Sequence, residues 1–257
     1  MVADLPAEVP LPRAPLARVV AQLRFLMIAS IENPAFIAPF QEAIRSEYRV
    51  MRQEHVQTVA LGPGGFRSAE SQTAWRFHDD DEQWRVSLTR EFLAIDTTAY
   101  KSRADFLARL RRLVGALETS IHPAHVDRLG IRYIARVRAP ELGSIAKLVR
   151  EEVRGIVSTA AAKHMQHCLT ESRFAAEDAE LIARWGHLPT NVTIDPMALE
   201  PVAEPSWILD LDMFSNKPID LQADSVVREA ERFAKRIYTF FRWAVTDDFL
   251  VSYGGKP

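Results

Sequence analysis

Apolar positions in the first half of the chain pass from a period of two to a period of three to four, then back, and the second half runs through the same changes. The segment ARVVAQLRFLMI (17–28) alternates loosely and is rich in β-formers, which predicts a strand. Asn33 and Pro34 then supply an N-cap and a proline at the first helical position. Ile37, Phe40, Ile44, Tyr48 and Met51 recur three or four apart, so the spacing predicts an amphipathic helix over 34–53. HVQTVAL, TAWRFHD, QWRVSLT and EFLAID read as four short strands. Gly62-Pro63-Gly64-Gly65 lies between the first two, and the acidic turn Asp79-Asp80-Asp81-Glu82 between the second and third. Ser102 with Asp105 resembles a capping box, and Phe106, Leu107, Leu110, Leu113, Val114, Leu117 and Ile121 form one helical stripe.

After His122-Pro123 the order begins again. DRLGIRYIARVRA predicts a strand, and Leu142, Ile145, Val149, Val153 and Ile156 predict a helix over 140–156. AAKHMQHCLTE, AEDAELIARWG, TNVTID and SWILDLDMF predict four more strands. Val226, Ala230, Phe233, Ile237, Phe240, Phe241 and Ala244 predict a long helix over 221–245. QLRF echoes in GIRY, and FLAIDTTAY in ILDLDMF, at a spacing of about 110 to 118 residues. The expected fold is therefore α+β, two tandem β-α-β-β-β-β-α units with antiparallel sheets covered by helices on one face. The expected divisions are an extended arm over 1–15, units over 16–122 and 123–247, and a tail over 248–257.

Composition narrows the classes of partner. With 32 basic and 34 acidic residues in 257, the chain has a formal charge of -2 and no global field to draw it onto nucleic acid or an anionic membrane. Six of the basic residues are lysine, so arginine dominates; this favours bidentate contacts to carboxylate or phosphate, and a GC-rich genome would produce the same bias. The single cysteine, Cys168, excludes an internal disulfide and a multi-thiolate metal site, and it fits a reducing compartment. The proline-rich start has neither a basic segment nor an apolar run after it, and no stretch approaches the ~20 apolar residues of a membrane helix. The expected location is the cytoplasm.

The segments APLARVVAQLRF, QWRVSLTREFLAIDTTAY, RLGIRYIARV and the closing AVTDDFL together resemble a sporadically distributed bacterial protein family of unknown function, over residues 14–250. RLGIRY and EFLAIDTTAY are the most specific of these. The resemblance brings no catalytic residues with it. Its patchy distribution implies an accessory, horizontally moved gene, such as a toxin-antitoxin or phage-defence component. The element order is also similar to TATA-binding-protein-like and helix-grip folds, whose relatives bind DNA, lipids, small molecules or proteins.

Period two also sorts the strand residues by face. If Leu23, Phe25, Ile131, Tyr133, Leu93, Ile95, Val192, Ile194, Leu209 and Leu211 face the helices, then Gln22, Arg24, Arg76, His78, Arg85, Arg132, Arg136, Asp210 and Asp212 face away. Such a face suits an anionic ligand or an acidic partner held by bidentate contacts; the competing reading is a solvated face laced by cross-strand Arg-Asp pairs. Asp210 and Asp212, two apart on one strand, point the same way and suit a metal or acid-base work, but no third acidic ligand accompanies them; the competing reading pairs them with Arg132 or Arg136. His164, His167 and Cys168 superficially suggest zinc, yet on a strand His167 points away from the other two. No metal and no cofactor is therefore expected. The acidic run lacks the spacing of a calcium loop, and Gly62–Gly65 lacks the lysine and helix of a phosphate loop. G-x-S-x-G is absent, and Cys168 has no base at a motif spacing. Tyr238 and Trp243 fall off the stripe of the last helix and either pack within the chain or contact a second subunit.

The leading expectation is a non-catalytic binding protein that meets a macromolecular partner, a protein before a nucleic acid, through the polar sheet face or the cleft between its halves. A small-molecule or anionic-ligand binder of helix-grip type comes second, and an enzyme using Asp210 and Asp212 third. A homodimer is compatible with each.

Overall fold

The computed structural model describes residues 6–57, 60–62, 65–67 and 71–257. Strand β1 (Leu16–Arg24) leads into helix α1 (Pro34–Ile44), whose first turn is capped by Asn33 Oδ1 accepting the Ala35 N–H at 3.0 Å. The helix stops at Ile44, short of the expected 53. The cause lies in the next strand: β2 (Val50–Gln57) pairs with β5 (Ser71–His78) from Val50 onward, so Met51 serves the ladder and Tyr48 is buried from the turn. In sequence between them, β3 (Ala60–Gly62) and β4 (Gly65–Arg67) pair antiparallel as a separate two-stranded sheet. Pro63 and Gly64 of the expected glycine turn, and Thr58 and Val59 of the expected strand, lie outside the described residues. β6 (Trp84–Leu88) and β7 (Phe92–Thr97) follow. The Asp79 side chain accepts the N–H groups of Gln83 and Trp84, which makes the acidic run a hairpin turn. Helix α2 (Arg103–Ser120) is capped by Ser102, whose Oγ accepts the Asp105 N–H at 3.1 Å.

The second half departs further from expectation. β8 (Arg128–Val137) forms as predicted, but the helix expected over 140–156 is broken into single turns. These include α3 (Ile145–Leu148) and α4 (Glu151–Arg154), with 3₁₀ turns on either side. Val149 and Arg150 are extended: Val149 bridges antiparallel to Val245, and the Arg150 N–H donates to the Ala244 carbonyl, so the backbone there is spent on another segment. Gly155, with φ +52°, then takes a conformation suited to glycine. The strand expected from 161 begins only at β9 (Cys168–Ala176), because Ala160–His164 is a 3₁₀ turn. β10 (Ala179–Leu188) and β11 (Ser206–Ser215) follow. TNVTID is not a strand; residues 190–195 are a turn followed by irregular chain. Helix α5 (Ala223–Ala244) matches its stripe, and α6 (Asp247–Ser252), capped by Thr246, occupies part of the expected tail.

The fold is thus α+β, with a nine-stranded antiparallel sheet in the order β2-β5-β6-β7-β1-β8-β11-β10-β9. The chain clusters into two compact units that interleave in sequence: one holds 1–19, 131–214 and 232–257, the other 20–130 and 215–231. In the second of these, Trp75, Phe77, Trp84 and Val86 share a face, and Phe40 of α1 and Phe106 of α2 pack on it with ring centroids 5.9 Å from Phe77 and Trp84. Arg76, His78, Arg85, Ser87 and Asp96 occupy the other face, as period two predicts. In the first unit Phe174 packs against Phe240 of α5 at 5.3 Å, which places the helix on the face of Phe174, Leu181 and Trp185. The arm is tied down there: Tyr238 Oη accepts the Val9 N–H at 2.7 Å and donates to the Ala7 carbonyl.

Candidate functional site

On the opposite face of that unit the alternation of three strands brings Arg132 (β8), Asp210 (β11) and Arg184 (β10) together. Arg132 grips Asp210 through both carboxylate oxygens, Nε to Oδ1 at 2.7 Å and an Nη to Oδ2 at 2.9 Å. Its other Nη donates to Asp195 Oδ2 at 2.6 Å. Arg184 adds a third donor to Asp210 at 3.2 Å and turns its Nε to Glu171 of β9 at 2.7 Å. The result is an alternating chain of charges, Asp195, Arg132, Asp210, Arg184, Glu171, around a carboxylate that is 0% exposed. Burial works against the charge on Arg132, but the hydrogen bonds and charges of Asp210 and then Asp195 outweigh it and hold the guanidinium protonated.

Asp195 is held by its own turn. Burial opposes its ionisation, yet the Arg132 hydrogen bond and charge, with the N–H groups of Met197 and Ala198, keep its carboxyl below the usual range. The turn carries a small apolar cluster, in which Ala198 and Leu199 pack with Ile134, Leu188 and Ile208, joined by Ile194 and Ala17. This corrects the expectation that Val192 and Ile194 are strand residues on the helix side. Val192 is exposed, and Ile194 packs with Ile134 and Ile208, which alternate with Arg132 and Asp210 on the polar face.

Arg76 and Arg85, also singled out from the sequence, are engaged on β5 and β6. Arg76, 5% exposed, donates to Ser87 Oγ and to Glu54 at 3.2 Å; Arg85 donates to its cross-strand partner Asp96 at 2.9 Å. Arg136 is buried, and its Nε and one Nη have no hydrogen-bond partner among the described residues. Ser206 Oγ is in the same condition. Burial and then Arg138 push the Arg136 pKa down, against Glu200. Asp212 shares the face of Asp210 by period two and is half-buried. Arg24 is exposed; its carbonyl accepts the Asp127 N–H at 2.8 Å, and its guanidinium has no partner among the described residues. Beside it the chain exposes Leu26 (63%) and Met27 (58%).

Chemically, the network is built for fixing strands and a turn. Three arginine N–H donors occupy both oxygens of Asp210, which leaves it little capacity for a metal or a reacting proton. His164 closes a 3₁₀ turn while Cys168 opens β9, and among the described residues no three His, Cys, Asp or Glu side chains are placed to hold a metal ion. Arg184, Asp195 and Glu171 escaped the sequence reading. Arg184 was within reach of the period-two argument, and Asp195-Pro196 is a turn-initiating pair. No protein-family model matches the chain, and a search of curated proteins finds no match either.

Proposed function

We propose that the protein is a non-catalytic binding protein that engages a protein partner, with Arg24, Leu26 and Met27 as the contact. The observation that carries this is the solvent exposure of two large apolar side chains beside an arginine with no intramolecular partner among the described residues. Arginine and methionine are enriched at the cores of protein interfaces, and a guanidinium not already paired within the chain retains its donors for a partner's carboxylate. The arginines of the network, by contrast, already hold carboxylates. We extend the reading to an accessory bacterial system, as the resemblance of RLGIRY and EFLAIDTTAY implies. A common origin of the two halves is part of it. Its support is that β1 and β8 are sheet neighbours, followed outward by β7-β6-β5 and by β11-β10-β9, with α2 and α5 after β7 and β11. The second half has no counterpart of β2.

The test is a pull-down from the native organism with the full chain and with Arg24→Ala/Leu26→Ser/Met27→Ser as paired baits. A protein retained by the former and lost from the latter, with unchanged melting of the variant, supports the reading. Equal retention by both baits refutes it. For the identified partner, Arg24→Ala alone should weaken binding by roughly 1 to 3 kcal/mol, the value of a charge-assisted hydrogen bond.

A further inference from the structure

β9 is an edge of the nine-stranded sheet, hydrogen-bonded to β10 on one side. Proteins blunt such edges with prolines, short strands or charges, since unpaired N–H and C=O groups template further pairing. β9 has nine residues and no proline, and it carries Leu169 (39% exposed) on one face and Phe174 (41% exposed) on the other. Gly186 lies so close beneath it that a Cβ there would stand 1.9 Å from the Cys168 carbonyl oxygen, which lets β10 support the strand along its whole length.

Its only charges are Glu171 and Arg173, on either side of Ser172, the midpoint of Cys168–Ala176. In an antiparallel pair, directly opposed residues point to the same face, so a two-fold axis relating two copies of one strand must pass through a residue. An axis at Glu171 or Arg173 sets like charges against each other. An axis at Ser172 sets each Glu171 opposite an Arg173 of the second copy, twice, and pairs all nine residues: Cys168 with Ala176, Leu169 with Ala175, Thr170 with Phe174. The Glu171 face already carries Arg184, so each new ion pair extends the Asp210 network. On β9 Glu171 is bound to Arg184 and lies 3.5 Å from Arg173, an intrachain contact that the two-fold pairing would exchange for one between copies; on the opposite edge, β2, Arg52 is bound to Glu82 and Glu54 to Arg76. Over residues 50–55, β2 exposes no large apolar side chain.

We infer that two copies of this chain associate through antiparallel pairing of their β9 strands about a two-fold axis at Ser172. The test uses the full chain. Light scattering during gel filtration should give twice the 29.1 kDa of one chain for the wild type. Glu171→Arg and Arg173→Glu each place like charges across the axis and should weaken self-association at least tenfold. Mixed together, the two variants again set an arginine opposite a glutamate at both positions and should associate as a heterodimer. Because Glu171→Arg also loses its contact with Arg184, a second variant checks the register independently of charge: Ser172→Cys in a Cys168→Ser background should cross-link to a dimer under mild oxidation, whereas Arg173→Cys in that background should not. A monomeric wild type, single variants that still dimerise, a mixture that stays monomeric, or efficient cross-linking at 173 in place of 172 would each overturn the proposal.

Discussion

Replacing Asp210 with alanine removes the centre of the charge chain. It deletes three charge-assisted hydrogen bonds, at 2.7, 2.9 and 3.2 Å, from a carboxylate with no exposure to water. At roughly 1.5 to 3 kcal/mol each, their sum is an upper bound. Two features of the structure reduce it. Arg132 keeps Asp195, and Arg184 keeps Glu171, so neither cation is left without a counter-ion. Both side chains also retain some exposure, 16% and 22%, and can regain water. The expected loss is therefore below the ~3 to 5 kcal/mol of a pair broken with its partner left uncompensated, about 2 to 4 kcal/mol, equivalent to a fall in Tm of about 4 to 16 °C for a chain of this size. Urea titration followed by tryptophan fluorescence measures it, with Trp207 on the same strand as a buried reporter. Arg49→Ala, which removes an exposed pair with Asp80, should cost less than about 1 kcal/mol and serves as the control. Arg132→Met combined with Asp210→Leu should cost clearly less than the sum of the two single changes. A loss below about 1 kcal/mol for Asp210→Ala would refute the view that this network holds the strands.

Two further outcomes follow from neighbouring groups. Since the folded pKa of Asp195 lies below its usual 3.8, its contribution is present above that value and is lost as pH falls through the folded pKa; the stability gap between wild type and Asp195→Asn should be constant near neutrality and narrow as pH drops below 3.8. A gap that widens in acid would contradict the sign. Arg136→Met replaces a buried guanidinium that lacks partners at Nε and one Nη, so it should leave stability unchanged or raise it by about 1 kcal/mol in the same urea assay; a loss of that size would mean the cation is satisfied by something bound in solution.

Much of the architecture follows from local chemistry alone. Asn33-Pro34 and Ser102-x-x-Asp105 start their helices because caps satisfy orphan N–H groups within a few residues, and the stripes of α2 and α5 persist because each presents one continuous apolar face. Period two assigned Arg76, Arg85, Arg132 and Asp210 to polar faces, since alternation is a property of the strand backbone itself. Tertiary structure decided where local and distant demands compete. Met51 carries a helical spacing but joins β2 because β5 offers it a ladder, and Val149 interrupts an apolar stripe because Val245 takes its backbone. Val192 and Ile194 alternate like strand residues, yet they lie in an irregular turn in which Asp195 meets Arg132 at 2.6 Å. The joining of Asp210 to Arg184 and Asp195, and the choice of β9 as an edge, depend on strand order. Strand order is set by burial and hydrogen bonding among segments far apart in sequence, which no local spacing encodes.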